Sequence, residues 1–211
     1  MIDKILYAVI FIEGAIRMVG QDKDVKTKIL LAAKKLFAEQ GFDATTVRQI
    51  CNEAGVGIAL VSYHFGGKEN VFYALFDHFL PNTNLEEIVQ LDPIEGLKRF
   101  IQVVIRFRIE EPEMAAIFHK EMVSKSPRLE FIRSYSITTW EKLREILDNG
   151  RKQGLFSFQS LDYMMLFIMG TLIFPQKSTY FSSLVTEGQQ SVEQIISFTY
   201  EFVLNGLKCK N

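Results

Sequence analysis

Cysteine is nearly absent from this chain, with Cys51 and Cys209 the only two in 211 residues. Two thiols make no disulfide framework, and they read as a small buried side chain at 51 and an exposed thiol at 209 in a reducing cytoplasm. Histidine is almost as scarce. His64, His78 and His119 share no spacing that would set two imidazoles on one helix face around a metal, so neither a metal site nor a cofactor is expected. No Gly-x-Ser-x-Gly elbow occurs, and Gly66-Gly67-Lys68 lacks the upstream glycine and the following Ser or Thr of a phosphate loop. The usual signatures of an enzyme are therefore missing, and none is expected.

Charge of either sign is not in excess. The formal net charge is −1, and residues 21–80 carry about as many acids as bases, so any positive surface must come from arrangement and not from totals. Long apolar runs are missing too. The run at 5–12 is too short to span a bilayer and is followed by Glu13 and Arg17; it also lacks a strongly basic start and a small-residue cleavage site. No membrane partner is expected. Residues 1–20 read as an N-terminal extension, either an extra helix packed on the domain that follows or sequence upstream of a start at Met18.

What the chain does have is helical periodicity, with no strand-like alternation competing, and a hydrophobic share of 48% that is ample for a core. Ile29, Ala32, Ala33, Leu36 and Phe37 recur at the spacing of one helix face, with Lys34, Lys35 and Glu39 opposite. Gly41 follows as a left-handed stop, and Phe42 can fold back on the helix. Thr46 with Gln49 three residues on predicts a second N-terminus, Thr45 being the competing cap. Val47, Ile50, Cys51 and Ala54 share its face, and Gly55 breaks the chain sharply before a third helix at 58–64. Two short helices about a glycine turn follow the helix-turn-helix plan, whose second helix enters the major groove. Val56, Val61 and Phe65 can pack inward, which leaves Ile58, Ala59, Leu60, Ser62, Tyr63 and His64 on the outer surface. That surface is more apolar than water alone requires. Contact with a thymine methyl would account for Ile58 or Leu60, while Tyr63 and His64 reach phosphates.

The patterns Ile29-Leu30-x-Ala32-Ala33-x-x-Leu36-Phe37-x-x-x-Gly41-Phe42, Thr45-Thr46-Val47-x-x-Ile50, Ala54-Gly55-Val56 and Tyr63-x-Phe65-x-x-Lys68-Glu69 resemble the N-terminal signature of TetR-family transcriptional repressors. The likeness spans about a quarter of the chain, and several spaced elements agree at once. Positions 57–60, Gly-Ile-Ala-Leu, depart from it, lacking the polar residues often found early in that family's recognition helix. The resemblance implies that Thr46 holds a phosphate through its N-cap, that Arg48 points toward a base or phosphate, and that Lys68 pins the DNA backbone at the start of a fourth helix. Physical chemistry is compatible with this, because a guanidinium fork suits guanine O6/N7 and a helix N-terminus favours anions. The fold so implied is all-α, with a helix-turn-helix DNA-binding domain at 21–80, including the start of a connecting helix, and a helical effector-binding and dimerisation domain at 81–211.

The second half is consistent with that division. Residues 81–84 mark a loop, and Asp92-Pro93 opens an amphipathic helix over 94–108 with proline in its first turn. Pro112 opens another, and a long helix is expected over about 127–153. Residues 162–174 are apolar on nearly every side, so both faces need cover, and 192–207 carries a comparable stripe. In the resembled family the last two helices form a dimerising four-helix bundle; Pro175 would kink or end the first of them. Phe100, Val104, Phe107, Phe118, Met122, Tyr135, Trp140, Met164 and Phe167 are the materials for an apolar effector cavity, although aromatics and methionines at helical spacing serve plain cores equally well. Arg106, His119, Glu121 and Tyr135 are the polar groups within reach. The partners implied are a double-stranded, palindromic DNA operator, a second copy of the chain and a small apolar effector. Three functions stay open: a ligand-released repressor, a helical ligand-binding or scaffold protein without DNA reading, and a catalyst.

Overall fold

The structure is a computed structural model that describes residues 24–81, 83–174, 183–184, 186–188 and 190–208. The opening run and Cys209 lie outside the described residues. Among these residues the secondary structure is helical throughout, and the chain divides into two compact units between Leu80 and Pro81.

In the first unit, α1 (24–40) buries Ile29, Leu30, Ala32, Ala33 and Phe37. Gly41 follows in the left-handed region, with φ 86°, and returns its N–H to the Phe37 carbonyl at 3.0 Å. The chain reverses there because glycine alone adopts that backbone without cost. Phe42 folds back so that its ring centroid lies 5.3 Å from Phe37 and 5.3 Å from Phe72; Phe76 stands 5.3 Å from Phe72. These four rings, with Ile50, Val61, Val71 and Leu75 fully buried around them, form the core on which the remaining helices rest.

Helix α2 (Val47–Ala54) starts at the predicted capping box, in which the Thr46 side chain accepts from the Gln49 N–H and the Gln49 side chain accepts from the Thr46 N–H. Thr45 is not the cap. It is fully buried, and its hydroxyl donates to the Gly41 carbonyl at 2.7 Å. Gly55, at φ 66°, ends α2, and α3 (Ile58–Phe65) begins three residues later, so the two pack across one tight turn. Gly66 and Gly67 separate α3 from α4 (Lys68–Phe79), which packs against it and buries Val71, Phe72, Leu75 and Phe76.

The second unit opens with α5 (Leu85–Val89), a single turn capped by Asn84, which hydropathy periodicity alone does not announce because only Ile88 is buried. Helix α6 (Pro93–Glu110) starts where expected, with Asp92 accepting from the Ile94 N–H and proline in the first turn. It is the centre of this unit, packing against α8 (Leu129–Lys152) and α10 (Val192–Gly206) and touching α7 (Pro112–Ser124) and α9 (Leu161–Ile173). The core joins Leu97, Phe100, Ile101 and Ile105 of α6 to Leu143, Ile146 and Leu147 of α8, Ile168 and Leu172 of α9, and Ile196 and Val203 of α10. Helix α9 ends before Pro175, in keeping with proline's bias against a preceding helical residue.

Neither of the last two helices is covered on its second side. Helix α9 leaves Tyr163, Leu166 and Phe167 at 64%, 58% and 65% exposure, and α10 leaves Phe198 and Phe202 at 57% and 67%. A solvated helix rarely presents so many large apolar side chains, and exposure of this kind on two packed helices points to a surface made to be covered.

Candidate functional site

The nucleic-acid reader is built from two adjacent helices. Thr46 and Arg48 are exposed at the first turn of α2, and the capping box fixes where that turn begins. On α3, Val61 is fully buried and anchors the helix, which turns Ile58, Ala59, Ser62 and Tyr63 outward; Ile58 is 55% and Tyr63 79% exposed. Leu60 and His64 are half-buried flanks of that face and not its centre. The His64 ring sits 4.8 Å from Tyr63, edge to face, which restrains both side chains. Asn70 donates to the Phe65 carbonyl at 2.7 Å and Gly66 to that of Ser62 at 2.9 Å, closing the C-terminal turn of α3.

Lys68 has a structural role that the sequence did not show. Its Nζ donates to the carbonyls of Phe42 at 2.8 Å and Thr45 at 2.7 Å, and lies 4.1 Å from the Phe42 ring centroid. Two of its three donors are thus spent inside the protein, where they tie the start of α4 to the corner between α1 and α2. These two charge-assisted hydrogen bonds make Lys68 a structural strut. A second tie joins α1 to the end of α4, with Lys34 Nζ 3.9 Å from the Phe79 ring centroid. Lys35 pairs with Glu53 at 2.6 Å between α1 and α2, and hydrogen bonding to that carboxylate raises the lysine's pKa. Cys51 is buried beneath the reader, and desolvation pushes its thiol pKa up.

The nine residues read as effector-lining do not form one group. Phe100 is fully buried, and its ring centroid lies 5.9 Å from that of Trp140 in a tilted pair. Val104 and Met164 pack on the same core. Phe107 meets Phe118 edge-on at 6.3 Å, and Tyr135 stacks 4.9 Å from Phe131. Met122 and Phe167 are corrected: at 41% and 65% exposure they lie on the surface, and Phe167 belongs with Tyr163 to the uncovered face of α9. Arg106 pairs with Glu193 at 2.7 Å, bridging α6 and α10 at the surface.

Two polar features go beyond the sequence reading, which named Glu121 but neither its partner Arg128 nor Arg108. Glu121 and Arg128 form a buried ion pair at 3.1 Å, with the Ser126 hydroxyl donating to the same carboxylate. Arg108 sits where the apolar stripe Leu97, Ile101, Ile105 continues along α6, and its Nη1 donates to the carbonyls of Leu172 and Phe174 at the end of α9. A charged residue in line with an apolar stripe was the available signal in both cases, since Glu121 continues the buried Met114 and Ile117 of α7. No described group of three or more His, Cys, Asp or Glu side chains is placed to hold a metal, and no described helix is long and apolar enough to cross a membrane.

This arrangement matches known proteins. The family model for bacterial regulatory proteins, tetR family, matches residues 29–75, which run from α1 through most of α4. The crystal structure of HlyIIR, a hemolysin II transcriptional regulator, superposes with a TM-score of 0.68 at 34% identity, covering 84% of this chain and 97% of that one. The ketosteroid regulator KstR2 of Mycobacterium tuberculosis shares the fold, with a TM-score of 0.71 at 24% identity over 88% of this chain and 95% of that one. The transcriptional repressor NicS of Pseudomonas putida is 26% identical over 138 residues, 62% of this chain and 65% of NicS, so the alignment spans just under two thirds of that relative. With a helix-turn-helix reader inside the matched segment and HlyIIR 34% identical and covered over 97% of its length, the chain belongs to the tetR family of bacterial regulatory proteins and is a DNA-binding transcriptional regulator.

Proposed function

We propose that the protein is a homodimeric repressor that holds a palindromic operator and is released from it by a small, largely apolar effector. The observation that carries the DNA-binding half is the outward face of α3, where Ile58, Ser62 and Tyr63 project from a helix anchored at Val61, with Arg48 exposed on the preceding α2. In this reading Arg48 reads a base edge through its planar fork, Ile58 packs on a thymine methyl, Tyr63 meets a phosphate and the N-cap of α2 at Thr46 meets another. Lys68 holds the reader in shape without touching DNA.

The uncovered faces of α9 and α10 support self-association, since a second copy offers the same aromatic surface in a two-fold contact. Two recognition helices related by that axis would meet successive major grooves about 34–36 Å apart, or a multiple of it, which calls for an inverted repeat. Repression is the activity named for NicS, and ligand release follows if the effector binds one conformation of 81–211 better than the other. Selection of bound sequences from a random duplex pool tests the proposal. An inverted repeat with that spacing is the expected result, and recovery of no consensus would favour a helical ligand-binding protein without specific DNA reading.

A further inference from the structure

The guanidinium of Arg108 is the least satisfied charge described in the second unit. Its Nη1 serves two carbonyls at the end of α9, Leu172 and Phe174, the latter at 3.2 Å. Its other edge is different. Nη2 is fully buried and has no hydrogen-bond partner, no carboxylate among the described residues pairs with the group, and burial depresses its pKa. A buried cation donor left unmade is costly, so each one calls for a physical explanation.

The geometry of the unused edge is specific. Nε and Nη2 form the side-on fork of an arginine, and that fork matches the two oxygens of one carboxylate. One turn back along each helix the neighbours are apolar. Val104 lies one turn before Arg108 on α6, Met169 lies one turn before Leu172 on α9, and both are partly buried against the core that contains Leu172 and Ile105. A ligand suited to this place carries one anionic group on an apolar body.

We propose that Arg108 is the anchor for an effector that is a monocarboxylate with an apolar tail, a claim that rests on reading 81–211 as the effector-binding domain. The same side chain caps α9, whose outward face carries Tyr163, Leu166 and Phe167. A carboxylate on the Nε–Nη2 edge shares the guanidinium with the α9 carbonyls held by Nη1, which couples occupancy to the helix that presents the self-association face.

The test compares octanoate and decanoate, below their micelle-forming concentrations, with 1-octanol and 1-decanol. Calorimetric titration into the full-length protein is followed by operator binding with and without each probe. Both acids should bind more tightly than the alcohol of equal length and weaken operator binding. Arg108→Met should lower acid affinity by about tenfold or more while leaving alcohol affinity unchanged, the fold-change expected from losing a charge-assisted contact. Arg108→Lys, which keeps the charge but not the fork, should recover only part of it. Equal affinity of wild-type protein for acid and alcohol, no binding of either acid at millimolar concentration, or acid binding that survives Arg108→Met would overturn the proposal. The wild-type comparison needs no variant to fold. An Arg108 variant that shifts the dimer dissociation constant but not acid affinity would also overturn it, placing the residue in assembly. Operator binding measured without probe keeps the DNA-reading claim separate, because it can succeed while every acid fails.

Discussion

Replacing Lys68 with methionine separates a strut from a phosphate ligand. Methionine keeps most of the aliphatic stem, so the change removes mainly the ammonium and strands the carbonyls of Phe42 and Thr45, now served at 2.8 and 2.7 Å. A hydrogen bond from a charged donor contributes about 1.5–3 kcal/mol, and the two share one partly solvated ammonium, so they will not sum in full. The contact with the Phe42 ring adds about 0.5–1 kcal/mol. We therefore expect a loss of about 2–4 kcal/mol from the stability of the DNA-reading unit. That is a large share of a small domain's margin and visible as a lower denaturant midpoint at unchanged slope. The salt dependence of operator binding, measured where the variant remains folded, should keep its log–log slope. A phosphate ligand behaves in the opposite way, since its loss lowers that slope by about one and leaves stability nearly untouched. Full stability with a shallower slope would refute the strut.

Arg48→Ala should relax preference at one base pair at a cost of about 1–3 kcal/mol, read from binding to operators varied singly at each position. Ile58→Ala and replacement of the contacted thymine by uracil should each weaken binding about fivefold and fail to add when combined, because both delete the same methyl contact. Phe198→Glu or Phe202→Glu should give monomers in sedimentation, and a dimer as tight as wild type would remove α10 from the interface. Glu121→Gln leaves Arg128 without its buried counter-charge and should cost about 3–5 kcal/mol in thermal or denaturant unfolding.

The reader was legible because each of its parts has a local cause. Gly41 and Gly55 stop helices through backbone freedom, and Thr46 with Gln49 starts one through paired hydrogen bonds; both signals act within four residues and survive in a one-dimensional reading. The internal role of Lys68 was not legible for the complementary reason. Its partners lie more than twenty residues earlier in the chain, and nothing in the run Gly66-Gly67-Lys68 discloses that the α1–α2 corner brings two carbonyls beneath it. The effector residues were the least legible. Helical spacing identifies which side chains are apolar but cannot assign Phe100 to the buried core, Phe167 to an uncovered face and Val104 to the edge of the core, since all three fit the same periodic pattern. Short helix α5 was missed because one buried residue, Ile88, makes no period.

The central claim is that two copies of α3 read one inverted repeat. Quantitative competition between the selected repeat and a scrambled duplex of the same length, at one fixed salt concentration and with stoichiometry taken from native mass spectrometry, tests it most directly. The account predicts two protomers per repeat and at least about a thousandfold preference over the scramble. It also predicts loss of that preference when about half a helical turn is inserted between half-sites, because the recognition helices then face opposite sides of the duplex. Equal affinity for both duplexes, or one protomer bound with undiminished preference after the insertion, would contradict it.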